Sequence, residues 1–134
     1  MDANAYKSKL KEAVDGLAGG ILKLSHEIHD HPECGFEEYF ASAQLTELLR
    51  GQGFAVETGT AGLPTAFTAV KRGRKPGPSI AFLAEYDALE GLGHGCGHNM
   101  IAAMAAGAGI ALGGLTDELG GAVYVIGTPG EGTK

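Results

Sequence analysis

A cysteine and a histidine two positions apart, Cys96 and His98, lie in the glycine-rich segment Gly95-Cys96-Gly97-His98-Asn99, which opens onto an apolar stretch. Thiolate and neutral imidazole are both good ligands for a borderline-soft cation such as zinc, and flanking glycines let the backbone turn tightly enough to aim both at one point. A buried thiol beside a hydrogen-bonded histidine in a tight turn would look the same. Position strengthens the metal reading, because the apolar run from Ala81 to Leu89 just upstream carries two carboxylates, Glu85 and Asp87. A third carboxylate, Glu131, follows Gly127-Thr128-Pro129-Gly130. Solvated loop acids are the plain alternative for Glu85 and Asp87, and a charge near the end of the sequence for Glu131.

The elements that would position these groups follow from periodicity. Leu10, Val14, Leu17, Ile21, Leu24 and Ile28 recur at spacings of four and three, which predicts a helix with one apolar face running to about Asp30. His31-Pro32 closes it, since proline disfavours helical geometry in the residue before it. A second amphipathic helix is expected from about Phe36, with Ala41, Leu45, Leu48 and Leu49 inward and a stop at Gly51 or Gly53. Phe54 to Glu57 and Thr65 to Val70 read as short alternating strands, separated from the next by the basic, proline-bearing turn of residues 71–78. Ile80 to Ala84 is a continuous apolar run, as expected of a strand covered on both faces in a mostly parallel sheet. Asn99 is the expected N-cap of an apolar, buried helix from Met100 to about Leu112, and Ala122 to Ile126 is the last strand.

Strands alternating with helices predict an α/β fold with helices on both faces of the sheet. In such folds chemistry gathers beyond the carboxyl ends of the strands. Glu85, Asp87, Cys96 and His98 would follow one central strand and Glu131 another, so all five are expected on one rim.

Composition narrows the classes of function. The chain has 134 residues, 44% of them hydrophobic and 19% charged, enough for one domain. Its net charge of -6 offers no basic footprint for nucleic acid. No membrane association is expected: the longest apolar stretch, Met100 to Leu115, falls short of the roughly 20 residues a span needs and is interrupted by glycines. The first residues lack the features of a signal peptide, which predicts a cytoplasmic protein with thiols rather than a disulfide. Cys34, with no histidine in a matching turn, is expected to be a small buried or half-buried thiol.

Four phrases in order carry a resemblance: His29-Asp30-His31-Pro32-Glu33, Glu85-Tyr86-Asp87-Ala88-Leu89, Gly93-His94-Gly95-Cys96-Gly97-His98-Asn99 and Gly127-Thr128-Pro129-Gly130-Glu131. Together they resemble the metal-dependent amidohydrolases and peptidases related to aminoacylase and carboxypeptidase G, and within that family the subgroup of aminobenzoyl-glutamate hydrolase and its dipeptidase relatives. The resemblance implies a three-layer α/β/α sandwich of the zinc-peptidase type, truncated, with residues 1–134 as one partial catalytic domain and the lid or dimerisation domain absent. It implies Cys96 and His98 as ligands of a two-metal centre, zinc favoured and manganese compatible. It implies Glu131 as the general base and Asp87 as the carboxylate that orients a ligand. His94 would lie near the metals without matching a fixed ligand. The implied substrate is a small amide, such as an N-acyl amino acid, a dipeptide or aminobenzoyl-glutamate, and homo-oligomers are compatible with the resemblance. Two positions depart from the family pattern: Gly132 stands where a second glutamate is expected, and Glu90 where a proline is expected.

Other readings are weaker. His26-Glu27-Ile28-His29 spaces its histidines three apart where the zincin signature needs four, so it reads as a helix-end cluster. Gly127 to Lys134 superficially resembles a phosphate-binding loop, but Thr precedes Lys and the loop carries an acid. A non-catalytic metal-binding domain would keep Cys96 and His98 and have no use for Glu131.

Overall fold

The structure, a computed structural model, describes residues 2–131. Gly132, and with it the end of the loop that resembles a phosphate-binding motif, lies outside the described residues. Helix α1 spans Ala3–Asp30 and starts at Asp2, whose carboxylate accepts the Ala5 N–H at 2.8 Å and so satisfies an amide the helix leaves unpaired. Its apolar stripe is used unevenly. Leu24 and Ile28 are buried, Leu10, Leu17 and Ile21 partly so, and Val14 is 43% exposed, so burial deepens toward the C-terminal end, where the helix lies along a second one.

That partner is α3, His98–Gly113, a helix of alanine and glycine with Ile110 at its core. Two glycines set how closely it is packed. A Cβ at Gly107 would fall 2.2 Å from Ile21 of α1, and one at Gly109 would fall 2.3 Å from Val125 on the sheet. The expectation of a helix buried all round holds for most of it, but Met100 and Met104 are exposed and Ile101, Ala108 and Leu112 only half-buried. The cap differs too: Gly97 precedes the helix without a side-chain cap, and Asn99 instead donates to the Ser25 hydroxyl and carbonyl at 3.0 and 3.3 Å, pinning α3 to α1.

Helix α2, Tyr39–Gly51, begins three residues later than the pattern predicts, since Phe36 takes a left-handed φ of 69°. Its first amides are capped from a distance: the Glu33 carboxylate accepts the Phe40 and Ala41 N–H groups at 2.8 and 3.0 Å. Ala41, Leu45 and Leu49 are buried as expected.

The sheet comprises β1 (Ala55–Thr58), β2 (Phe67–Arg72), β3 (Ser79–Ala84) and β4 (Ala122–Gly127) in the order β1-β2-β4-β3. The fold is α/β, but the expectation of a mostly parallel sheet is corrected. β1 with β2 and β2 with β4 are antiparallel, and only β3 with β4 is parallel. The cause is connectivity: β1 and β2 are joined by a short link, which permits only antiparallel neighbours, whereas the crossover through α3 and the short α4, Thr116–Leu119, makes β3 and β4 parallel.

Register places Phe67, Ala69, Val123, Val125 and Ala84 on one face, all buried beneath the helices. The alternate residues Thr68, Val70, Tyr124 and Ile126 are half-buried, and Leu83 is 55% exposed. Among the described residues, then, the helices cover one face of the sheet, and the second outer layer of the expected three-layer sandwich is not seen. β3 is an edge strand here rather than one covered on both faces. Among the described residues no helix is long and apolar enough to cross a membrane. Cys34 is half-buried, as expected.

Candidate metal centre

The parallel pairing of β3 and β4 brings their carboxyl ends to one rim, with Ala84 opposite Gly127. Thr128 seals the junction, its N–H and hydroxyl both donating to the Ala84 carbonyl at 2.9 and 3.1 Å. Glu85 and Asp87 therefore emerge beside the turn that carries Glu131, and His98 reaches the same point from the first turn of α3. Four of the five groups expected on this rim meet there.

His98 is buried and is the hub. Its Nδ1 lies 2.9 Å from Asp87 Oδ1 and 3.0 Å from the Asp87 carbonyl oxygen. Both partners can only accept from it, so Nδ1 carries the hydrogen and the tautomer is fixed. On the other side of the ring, Nε2 is 3.1 Å from Glu85 Oε2 and 3.3 Å from Glu131 Oε2. In neutral His98 that nitrogen presents a lone pair to two carboxylate oxygens. Such an arrangement calls for a cation between them, either a proton on Nε2 or a metal ion. The donor atoms of Glu85, His98 and Glu131 lie within 4.8 Å of one another, a spacing and a donor set that fit a divalent cation.

Each expected residue can now be placed. Asp87 holds His98 as a ligand-orienting carboxylate would, and Glu131 reaches the centre with its side chain half exposed. Cys96 does not join them: it is exposed and outside the group that clusters around His98 Nε2. Glu85 takes part instead. The sequence places it on the rim without marking it as a ligand, and the signal that points to it is its i, i+2 relation to Asp87, which in extended chain puts both carboxylates on one side. They grip His98 from its two nitrogens.

The remaining histidines divide by environment. His31 Nδ1 donates to the Glu27 carbonyl at 2.8 Å and its ring stacks on Phe40, while His29 is exposed beside Asp30, a helix-end cluster as expected. His94 is buried beside the centre, and neither of its ring nitrogens has a hydrogen-bond partner among the described residues. Burial lowers its pKa, and the neighbouring His29 and His98 lower it further.

Comparison with models of protein families finds no match for the chain. Individual proteins do match. The chain is 35% identical to thermostable carboxypeptidase 2 of Saccharolobus solfataricus over 92% of its own length and 35% of that protein's. It is 37% identical to a subunit of the p-aminobenzoyl-glutamate hydrolase of Escherichia coli, over 91% of this chain and 29% of that one. Among solved structures, a dinuclear metal binding peptidase of Bacillus subtilis superposes with a TM-score of 0.78 at 26% identity, covering 88% of this chain and 36% of the other. The chain thus spans about a third of the length of the relatives it matches.

Proposed function

Because this chain belongs with the metal-dependent amidohydrolases and peptidases related to aminoacylase and carboxypeptidase G, we propose that it forms part of the catalytic domain of a hydrolase that cleaves small amide bonds. The observation that carries this reading is His98, its Nδ1 locked by Asp87 and its Nε2 facing two carboxylates. His98 and Glu85 would hold a divalent ion, zinc or manganese, with Glu131 beside it. Cys96, two residues ahead of His98 on the same loop, would supply the thiolate of a second ion in a two-metal centre. When bound, such an ion acidifies a water and polarises the scissile carbonyl.

The chain's own groups account for the rest. Asp87 keeps Nδ1 protonated and so keeps the Nε2 lone pair aimed at the site. Glu131, half exposed at the mouth, is free to accept a proton from water and pass it to the departing amine. An N-acyl amino acid, a dipeptide or aminobenzoyl-glutamate are the substrates to try. Self-association would cover Ile80 and Leu83 on the open edge strand, and a monomeric elution profile would remove that part of the proposal.

The test is metal content and calorimetric titration with zinc and with manganese, on the chain and on His98→Ala and Cys96→Ala, followed by amine release from the three substrate types. Stoichiometric metal that His98→Ala loses is expected. Metal retained undiminished in that variant would sink the assignment. A second reading, a metal-binding module without catalysis, draws support from Gly132 in place of a second glutamate. Glu131→Gln separates the two, since a hydrolase loses turnover and keeps its metal while a module changes in neither.

A further inference from the structure

Glu38 is a fully buried carboxylate that the chemistry above does not use. Its Oε2 accepts the Gly130 N–H at 2.7 Å and its Oε1 accepts the Thr65 hydroxyl at 3.1 Å. Thr65 in turn offers its carbonyl to the hydroxyl of Tyr86, the buried residue between Glu85 and Asp87. A single acid is thus tied directly to the residue before Glu131 and, through Thr65, to the loop that carries the other two carboxylates.

The segment around Glu38 grips both loops. Five residues upstream, the Glu33 carbonyl accepts the Ala88 N–H at 2.7 Å, immediately after Asp87. Between these anchors, the Phe36 ring lies where a side chain at Gly130 would begin, its atoms 2.6 to 2.9 Å from that position, and Gly130 has a left-handed φ of 63°. The turn before Glu131 is therefore pressed against residues 36–38 and bonded there. Burying an acid is unfavourable unless its oxygens are satisfied. Here the compensating bonds come from a backbone amide and a hydroxyl, and no cation is among its partners in the described residues. An apolar residue of the same size would fill the space and leave Gly130 and Thr65 unpaired.

We propose that Glu38 is a positioning residue of the centre: by holding the Gly130 amide and the Thr65 hydroxyl, it fixes the turn of residues 128–131 so that Glu131 stays within reach of His98. The consequence for metal rests on the reading of the centre given above, whereas the tether itself is a property of the metal-free protein.

The test compares the wild-type chain with Glu38→Gln and Glu38→Met. Gln keeps an acceptor for Gly130 and can donate to the Thr65 oxygen, and Met keeps the volume with neither bond. Amide hydrogen exchange at Gly130 and the His98 ring-nitrogen resonances are recorded without metal, and zinc affinity is then titrated. The Gly130 amide is expected to be protected in the wild type and to exchange at least about tenfold faster in a folded Glu38→Met chain, with shifted His98 resonances and zinc affinity lower by about tenfold. Glu38→Gln should restore most of each. A wild-type Gly130 amide that exchanges like a solvated loop overturns the proposal, and so does a folded Glu38→Met chain with wild-type Gly130 protection and His98 resonances. If Glu38→Met does not fold, wild-type Gly130 exchange decides. A wild-type chain that takes up no zinc would defeat the metal reading alone, because the metal-free measurements still judge Glu38.

Discussion

The two sides of the candidate centre are held by different means. On the β3 side, His98 is buried, its ring fixed by the carboxylate and carbonyl of Asp87, and the next residue, Asn99, is bonded to Ser25 on α1. On the β4 side, Glu131 is half exposed on a short turn whose anchors are the bonds from Thr128 to Ala84 and from Gly130 to Glu38. The difference suits a division of labour. A ligand gains from being rigid before its ion arrives, whereas a group that must take a proton and release it needs room to move. On the proposed reading the β3 side would serve as a ligand platform and the β4 side would carry the carboxylate that moves the proton.

Removing the platform should have the largest effect. His98→Ala leaves Glu85 and Glu131 with no nitrogen between them, and zinc affinity should fall by more than the roughly 10–100-fold that follows loss of an outer partner. A titration showing near wild-type affinity would mean the ion does not depend on the β3 side at all. Asp87→Asn comes next. Its side-chain nitrogen can donate to His98 Nδ1 and so favour the wrong tautomer, and affinity should drop by about 10–100-fold, with loss of the Nδ1–H signal in ring-nitrogen spectra. Glu131→Gln probes the other side. Zinc affinity should change less than about tenfold, while amine release from any substrate the chain cleaves falls by about 10²–10⁴-fold. A loss of zinc as large as that of His98→Ala would make Glu131 a ligand first and erase the contrast.

The site is legible in the sequence to the extent that strand ends can be read. Apolar runs ending in Glu85 and Asp87, and in the turn before Glu131, are local signals, and parallel pairing turns them into a shared rim. Cys96 shares its local pattern with His98, yet the turn buries His98 in the first turn of α3 and leaves Cys96 exposed, a difference only tertiary packing decides. The fold shows the same split. The stripe of α1 marks a helix correctly but cannot say that Leu24 and Ile28 are buried while Val14 is left exposed. Asn99 has an N-cap's composition and is drawn instead to Ser25, 74 residues away in sequence. The antiparallel pairing of β2 with β4 depends on which strands meet across the α3 crossover, which no single segment encodes. Glu38 is hidden for the same reason, its two partners lying 27 and 92 residues off.

The smallest expected effect tests what holding the β4 side costs. Burial raises the Glu38 pKa above its ordinary 4.5, and the nearby negative charge of Asp87 raises it further, despite the bonds from Gly130 and Thr65 that lower it. A raised folded-state value means that the folded chain binds this proton more readily than the unfolded one. The resulting stability is fully present below about pH 4.5 and is lost as pH rises through the folded value. Glu38→Gln has no proton to lose at this position. In urea unfolding at constant temperature, the Gln variant should therefore gain on the wild type between pH 4 and pH 7, with other groups common to both chains cancelling in the difference. A constant difference across that range would mean that burial does not penalise the charged form, and the account of Glu38 as a desolvated acid would fail. If the gain is seen, the acid is retained at a stability cost at neutral pH, and the compensating feature is the charge-assisted bond to Gly130, stronger than an amide oxygen can offer. The β4 side would then be less stable than it could be because it must hold a turn in place while leaving Glu131 free.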